Sequence, residues 1–413
     1  MSVDDTSVRR AAEQAARASY GKLVSILAAR DKDISAAEDA LCEALLSALS
    51  AWPKSGVPAN PEGWLITAAR NSRRNMLRQG ELHRRIGPEL ALRAEQPGSE
   101  ESIPDDRLRL MFVCAHPAID PVARAPLILQ TVLGLDASRI GSAFLSDPAA
   151  MSQRLVRAKA RIRDAGLRFE LPSSEDMPER LGIVLDAIYA LFGQGWDSLD
   201  MADAPEALTG EAIWLARLLV SLMPAEAEPK GLLALMLYCN ARRAARRDAL
   251  GAFVPLERQD ATLWDRNQII DAEALLTAAA RAGTFGRYQC EAAIQSVHIQ
   301  RPVTGRLNLD ALRTLYDLLV THADSIGARI GRAVVLAEAG EAGLALGELD
   351  ALDRNRVERH QPWWVARSRV AALAGRAGEA ASALLEAIAL TKDRAVIDFL
   401  SAQRKALLRA DDE

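Results

Sequence analysis

Apolar residues recur along most of this chain at spacings of three and four, the period of an α-helix with one buried face. Tyr20, Leu23, Val24 and Leu27 make one such stripe, and Leu41, Leu45, Leu49 and Trp52 make another. Residues 8–51 therefore read as two or three helices. Ser35 is the expected N-cap of the second stripe's helix, and Glu38 three residues later would complete a capping box. Residues 52–62, WPKSGVPANPE, hold three prolines and a glycine and read as a restrained loop. Pro61 and Glu62 then open a further helix in which Trp64, Leu65, Ala68, Ala69 and Met76 or Leu77 can face inward.

Residues 79–104 break the pattern. They are polar, end in RAEQPGSEESIP, and read as a linker. Two more helices fill 105–133, split where Pro117 and Pro121 bracket a turn. The stretch Gly134–Lys159, GLDASRIGSAFLSDPAAMSQRLVRAK, then sets two short helices around a tight break. Asp136 can cap the first, whose face is Ile140, Ala143 and Phe144. Asp147 can cap the second, with Pro148 at the first helical position. Met151, Leu155 and Ile162 keep an apolar stripe there, while Ser152, Gln153, Arg154, Arg157, Lys159, Arg161 and Arg163 are polar or basic. A helix pair of this kind has the geometry of a helix-turn-helix with a recognition helix.

The pattern stays helical from 171 onward. Ala339-Gly340-Glu341-Ala342 recurs as Ala377-Gly378-Glu379-Ala380, and Leu346 and Leu352 recur as Leu384 and Leu390, an offset of 38 residues. Helix, turn, helix at that period is close to a tetratricopeptide-type repeat. Segments such as EAIWLARLLVSLM, GLLALMLYCNARRAARR, AEALLTAAARAG and CEAAIQSVH in residues 205–300 read as more degenerate pairs.

Composition agrees with an all-helical chain of two or three domains. Of the 413 residues, 49% are apolar and only 5% aromatic, and β-branched alternation is nearly absent. No apolar run is long enough to span a bilayer, and MSVDDTSVRR lacks the apolar core of an export signal, so a cytoplasmic protein without membrane contact is expected. Cys42, Cys114, Cys239 and Cys290 are far apart, each in a helical pattern, and read as buried reduced thiols. No second Cys/His pair accompanies Cys114 and His116, so neither metal nor cofactor is expected. No phosphate loop, HExxH motif or nucleophile–base pair suggests an enzyme.

Charge is unevenly shared. Residues 1–170 carry 24 Lys and Arg against 21 Asp and Glu, whereas 171–413 carry 27 against 34. A basic front and an acidic back fit a nucleic-acid module followed by an interaction module. Within the front, Arg70, Asn71, Arg74 and Arg78 share one helix side, with Arg73 beside them. Such cations repel one another, and phosphate contact would remove that cost; a solvated face is the alternative. Glu38, Asp39 and Glu43 cluster near a helix start, either as a solvated face favoured by the helix dipole or as a docking site for a basic partner. In the back half, Arg242, Arg243, Arg246 and Arg247 form a basic patch near Glu257, Asp260, Trp264 and Asp265. Internal salt bridges and a regulatory surface are both open readings of it.

Three of these stretches, in this order, resemble an extracytoplasmic-function sigma factor, a specificity subunit of bacterial RNA polymerase. AAEDALCEALLSAL resembles that family's second-region helix, with Glu38, Asp39 and Glu43 matching, Cys42 in place of the usual Gln and Leu45 in place of the usual Phe. NPEGWLITAARN resembles the helix that follows, through Trp64, Leu65, Ala69, Arg70 and Asn71. Gly134, Leu135, Ile140, Met151, Arg154, Leu155, Arg157 and Ala158 stand at the offsets of the fourth region, with Leu145 where the turn customarily has Gly. The whole resembles the group with a long C-terminal helical, tetratricopeptide-like extension.

The resemblance implies an all-α chain: a region 2 domain at 8–82, a linker at 83–104, a region 4 helix-turn-helix domain at 105–168, and a helical repeat domain at 171–410. It implies core RNA polymerase and promoter DNA as partners. Glu38, Asp39 and Glu43 would bind polymerase. Lys54, Asn60, Arg70, Asn71, Arg73, Arg74 and Arg78 would recognise and melt the −10 element. Ala149, Ala150, Ser152, Gln153, Arg154, Arg157 and Lys159 would read the −35 element. The acidic linker would lie in polymerase channels, though a solvated tether explains its composition equally well. The extension, through Arg242, Arg243, Arg246 and Arg247, would modulate activity by an intramolecular contact or a protein partner. The rival reading is a ligand- or partner-responsive helix-turn-helix repressor or activator, which leaves the 35–78 constellation unexplained.

Overall fold

The computed structural model describes residues 19–30, 32–82, 106–144, 146–197 and 204–411. The described residues are all-α, with no strand beyond one isolated bridge between Arg247 and Phe253. The expected linker at 83–104 and the turn residue Leu145 lie outside them. The chain forms two compact units, residues 1–194 and 195–413.

In the first unit a helix over residues 19–30, α1, leads into α2 (Ile34–Ser55) and α3 (Pro61–Leu82). The cap of α2 is Asp33, whose carboxylate accepts from Ala36 N at 3.1 Å, and not Ser35. Asp33 stands before the first helical residue, so it reaches the free amides first, and Glu38 is released from any capping box. The helix runs on through Pro53, placing only residues 56–60 in the loop. Gly56 ends it with φ +81°, donating to the Trp52 carbonyl at 2.9 Å. Ile34, Ala37, Leu41, Ala44, Ala48 and Trp52 form its buried face, whereas Leu49 is exposed. Trp52 packs edge-on against Trp64 at 5.6 Å between ring centroids, fixing α2 on α3. Lys22 pairs with Glu62 at 3.0 Å, and Ser19 donates to the same carboxylate, tying α1 to α3.

The helices α4 (Arg107–Cys114) and α5 (Pro121–Leu133) follow, the first almost wholly buried. Asp120 caps α5 and Pro121 opens it, while Gly134, at φ +68°, ends it. Next come α6 (Ala137–Ala143) and α7 (Pro148–Asp164). The helix α8 (Met177–Asp197) belongs mostly to this unit, its Arg180 donating to the Phe112 carbonyl at 3.2 Å. The units therefore divide within α8, not at the boundary near 171 expected from sequence.

The second unit contains α9 (Ala204–Leu222), α10 (Ala227–Ala241), α11 (Arg266–Arg281) and α12 (Arg287–Thr304). Gly231 lets α10 and α12 approach so closely that a Cβ there would sit 2.6 Å from Gln289 N. Glu228 of α10 caps α12, accepting from Tyr288 N at 2.9 Å and Gln289 N at 3.1 Å. Beyond them are α13 (Leu309–His322), α14 (Ile326–Glu338), α15 (Ala342–Asp350), the short α16 (Arg354–Val357), α17 (Gln361–Leu373), α18 (Ala377–Ala389) and α19 (Arg394–Asp411).

The helical hairpins α14–α15 and α17–α18 are equivalent, but their period is not 38. The left-handed turn glycines are Gly340 and Gly375, a separation of 35 residues. The Glu341 and Arg376 amides donate to the Leu336 and Ala371 carbonyls in the same way. The second Ala-Gly-Glu-Ala lies inside α18 rather than at its turn. Only glycine readily adopts the positive φ that closes the hairpin, so the turn sets the alignment and the recurring letters do not.

Inside this unit His298 is held neutral. Burial, with Arg242 and Arg301 adding to it and Glu257 opposing, lowers its pKa from the ordinary 6.5 to about 4. As pH falls below 6.5 the unfolded chain takes up a proton that the folded chain refuses. Stability present above pH 6.5 is thus lost as pH drops toward 4, by about 3 kcal/mol at most. Urea midpoints at pH 7 and pH 5 should fall further apart in the wild type than in His298→Gln. Equal falls in both would remove His298 as the cause.

Candidate nucleic-acid interface

The first surface is built on α2 and α3. The two helices meet at the Trp52–Trp64 contact, and the short 56–60 loop projects Asn60 at the start of α3. Asn60 is exposed, but its Oδ1 accepts from Gly63 N at 2.9 Å, so it serves at least as the N-cap of α3. Arg70 and Arg74, one turn apart, are exposed, and Asn71 and Arg73 half-buried beside them. The side chain of Arg78 lies outside the described residues. Lys54 is exposed at the far end of α2.

On α2 the predicted acidic cluster divides. Asp39 and Glu43 face out, whereas Glu38 is half-buried and its Oε2 accepts from Lys159 Nζ of α7. Burial drives the Glu38 carboxyl above its ordinary pKa, an effect that Lys159 and the Tyr20 hydroxyl oppose without cancelling. Asp39, Cys42, Glu43 and Leu46 form an exposed stripe, with Leu46 59% exposed and Leu49 alongside. Leu46 and Leu49 are thus an exposed apolar pair rimmed by acids. The apolar members were missed in the sequence, although i, i+3, i+4, i+7 spacing from Asp39 contains Cys42, Glu43 and Leu46. Cys42 is exposed rather than buried, and the four cysteines are all free. Partial burial and the neighbouring Asp39, Glu38 and Glu43 raise its thiol pKa, leaving it protonated.

The second surface is built on α6 and α7. Asp136 accepts from Ser138 N and Arg139 N, both at 2.9 Å. Asp147 accepts from Ala149 N at 2.9 Å and Ala150 N at 3.0 Å. The close turn between the helices rests on Gly141: a Cβ there would meet the Ser146 carbonyl oxygen at 2.9 Å, and Ser146 N donates to the Gly141 carbonyl at 2.8 Å. Ala149, Ala150, Ser152, Gln153 and Arg157 are exposed on one side, and Arg154 is half-buried. Val156, 63% exposed beside Ser152 and Gln153, joins this face and is suited to a thymine methyl.

Lys159 does not join it. Its side chain is 9% exposed and lies on the buried face with Met151, Leu155, Ala158 and Ile162, paired to Glu38. The expectation that it contacts DNA fails because it stands four residues after Leu155 and three before Ile162, on the inward stripe.

The arginines at 242–247 serve the second unit itself and do not form the free regulatory patch expected of them. Arg242 is buried, donating to the Tyr238 carbonyl at 3.2 Å and to Gln295 Oε1. Arg243 donates to Asn240 Oδ1 at 3.2 Å and to Thr209 Oγ1. Arg246 is half-buried. Arg247 pairs with Asp393 at the start of α19, and Phe253 packs edge-on against Phe399 at 5.2 Å between ring centroids, so the 247–253 segment is tied to the unit's last helix.

Residues 16–82 match the Sigma-70 region 2 family, a module that binds core RNA polymerase, and residues 180–280 match a family of unknown function (DUF6596). The first match covers α1–α3 with both of their candidate faces, so this part of the chain is similar to sigma-70 region 2. An uncharacterized protein of Rhizobium meliloti (strain 1021), R00370, is 35% identical over 382 residues, 90% of each chain; this chain belongs to the same family. No solved structure matches it. No helix among the described residues is long and apolar enough to cross a membrane.

Proposed function

We propose that the chain is a cytoplasmic sigma factor of the extracytoplasmic-function type that directs core RNA polymerase to specific promoters and starts transcription there. The carrying observation is the Sigma-70 region 2 match over 16–82, which falls on α1–α3 with the acidic–apolar stripe and the exposed Arg70 and Arg74. Asp39, Glu43, Leu46 and, once released, Glu38 dock on polymerase. Lys54, Asn60 and the α3 face of Arg70, Asn71, Arg73, Arg74 and Arg78 hold and melt the −10 element. Ala149, Ala150, Ser152, Gln153, Val156, Arg154 and Arg157 of α7 read the −35 element. Such a role involves no catalytic step by the chain itself.

The second unit, with its tetratricopeptide-like hairpins, modulates that activity. Truncation after Gln194 should change promoter-dependent transcription; an unchanged yield would remove this part of the reading. A gel shift with and without core enzyme tests the rest. Promoter duplex should be retarded only with core polymerase present, whereas tight binding by the chain alone would favour a helix-turn-helix repressor or activator.

A further inference from the structure

We infer that Asp393 and Phe399 of α19 form a docking site for a tight hairpin that sets an arginine beside an aromatic ring. The chain fills this site with its own residues 247–253, and a partner protein carrying the same pair displaces them. The inference concerns the second unit alone and does not rest on the sigma-factor reading.

The connection between α10 and α11 is the first sign. Its ends already meet, since Asp265 N donates to the Ala241 carbonyl at 2.9 Å. A helix pair needs only about 2–8 residues to join it. Here residues 242–265 travel out to α19 and return. Connections of that length are uncommon and usually carry function. The excursion holds a hairpin that builds itself. Asp248 Oδ1 accepts from Leu250 N and Ala252 N, both at 2.9 Å, and Val254 N donates to the Arg246 carbonyl at 2.9 Å. Gly251 turns the chain at φ +80°. Arg247 and Phe253 stand opposite each other across its antiparallel bridge, so their side chains leave from one face.

The receiving site is preformed as well. Asp393 Oδ1 accepts from Ala395 N at 3.0 Å and Val396 N at 3.3 Å as the cap of α19, which leaves Oδ2 to accept from Arg247. Phe399 packs on the core shared by α14, α15, α17 and α18 and offers its edge to Phe253. An acid and a ring on α19 thus answer a cation and a ring on the hairpin.

The hairpin is also held in a way that permits exchange. Among the described residues no backbone hydrogen bond ties it to α19. The two side chains of the ion pair are only 19% and 17% exposed, so desolvation offsets much of their attraction. Trading Arg247 for a partner's arginine therefore loses little. Leu250, at the tip, is 94% exposed and gives the docked form no hold.

A cyclic peptide copying residues 246–254, with a fluorescein-labelled lysine in place of Leu250, tests this on the full chain by anisotropy. In Arg247→Glu/Phe253→Ser the chain's own hairpin is released and the site on α19 is left intact. That variant should bind the peptide at least tenfold more tightly than the wild type does. Adding Asp393→Arg should abolish the gain, and a peptide with glutamate at the position that copies Arg247 should restore it. Urea midpoints show which variants are folded. Should the double variant not fold, Arg247→Ala takes its place, with at least a threefold gain expected. If the folded variant does not bind the peptide, the docking site is wrong. A gain that survives Asp393→Arg would overturn its assignment to α19. A wild type that binds as tightly as the variant, or that elutes as a dimer which the release substitutions dissociate, would overturn occupancy within one chain.

Discussion

Trp52→Ala is expected to cost about 4 kcal/mol and to abolish retention on core polymerase, while Trp52→Phe keeps most of both. Trp52 is 1% exposed at the junction of α2, the 56–60 loop and α3. Its ring contact with Trp64 sets the angle between the helices, and its carbonyl receives the Gly56 amide that ends α2. Truncation to alanine removes the contact and leaves a void too well walled to collapse. Against the 5–15 kcal/mol typical of a folded chain, 4 kcal/mol is about a thousandfold in the folding equilibrium. The indole Nε1 is buried with no hydrogen-bond partner among the described residues, so phenylalanine forfeits no polar contact there. Urea midpoints and a core-polymerase pull-down on the three proteins decide it. A wild-type midpoint for Trp52→Ala would mean that the α2–α3 frame is held by something else.

The second large effect belongs to Arg70 and Arg74. Replacing both by alanine should lower promoter binding by the polymerase complex about tenfold to a hundredfold at moderate salt. The slope of log K against log salt should fall by about 1.4 to 1.8, since each phosphate contact contributes ~0.7 on single strands and ~0.9 on duplex. Both residues are exposed one turn apart on α3 and can follow a backbone without rearrangement. Lys159→Ala should leave that slope unchanged, because Lys159 stands on the inward stripe of α7 with Leu155 and Ile162, away from the exposed side of Ser152, Gln153 and Arg157. An unchanged slope in the arginine variant, or a lowered one in the lysine variant, would reverse the assignment of these cations.

Much of this was legible in the chain. Asp136, Asp147 and Pro148 announced the starts of α6 and α7 because caps and first-turn prolines act within three residues of themselves. Trp64, Leu65 and Ala69 announced the inward face of α3 for the same local reason. What failed depended on distant partners or on backbone angles. Ser35 lies inside α2, because Asp33 stands ahead of the helix and its carboxylate takes the Ala36 amide. The repeat was misaligned by three residues because Gly375 and Gly378 are equal as letters and differ in φ. Arg242, Arg243 and Arg247 looked like a surface because their acceptors, Gln295, Thr209 and Asp393, stand up to 146 residues away. Lys159 could have been caught: Leu155, Lys159 and Ile162 keep the spacing of the buried stripe, and a lysine there needs an acid from another helix.

Purified core polymerase, promoter-bearing genomic fragments and the full chain, run in a single-round transcription assay, test the central claim most directly. The account predicts transcripts from discrete start sites that require the added chain, and their loss in the Arg70→Ala/Arg74→Ala variant. Transcripts no different from those of core enzyme alone, with the chain eluting apart from polymerase, would contradict it.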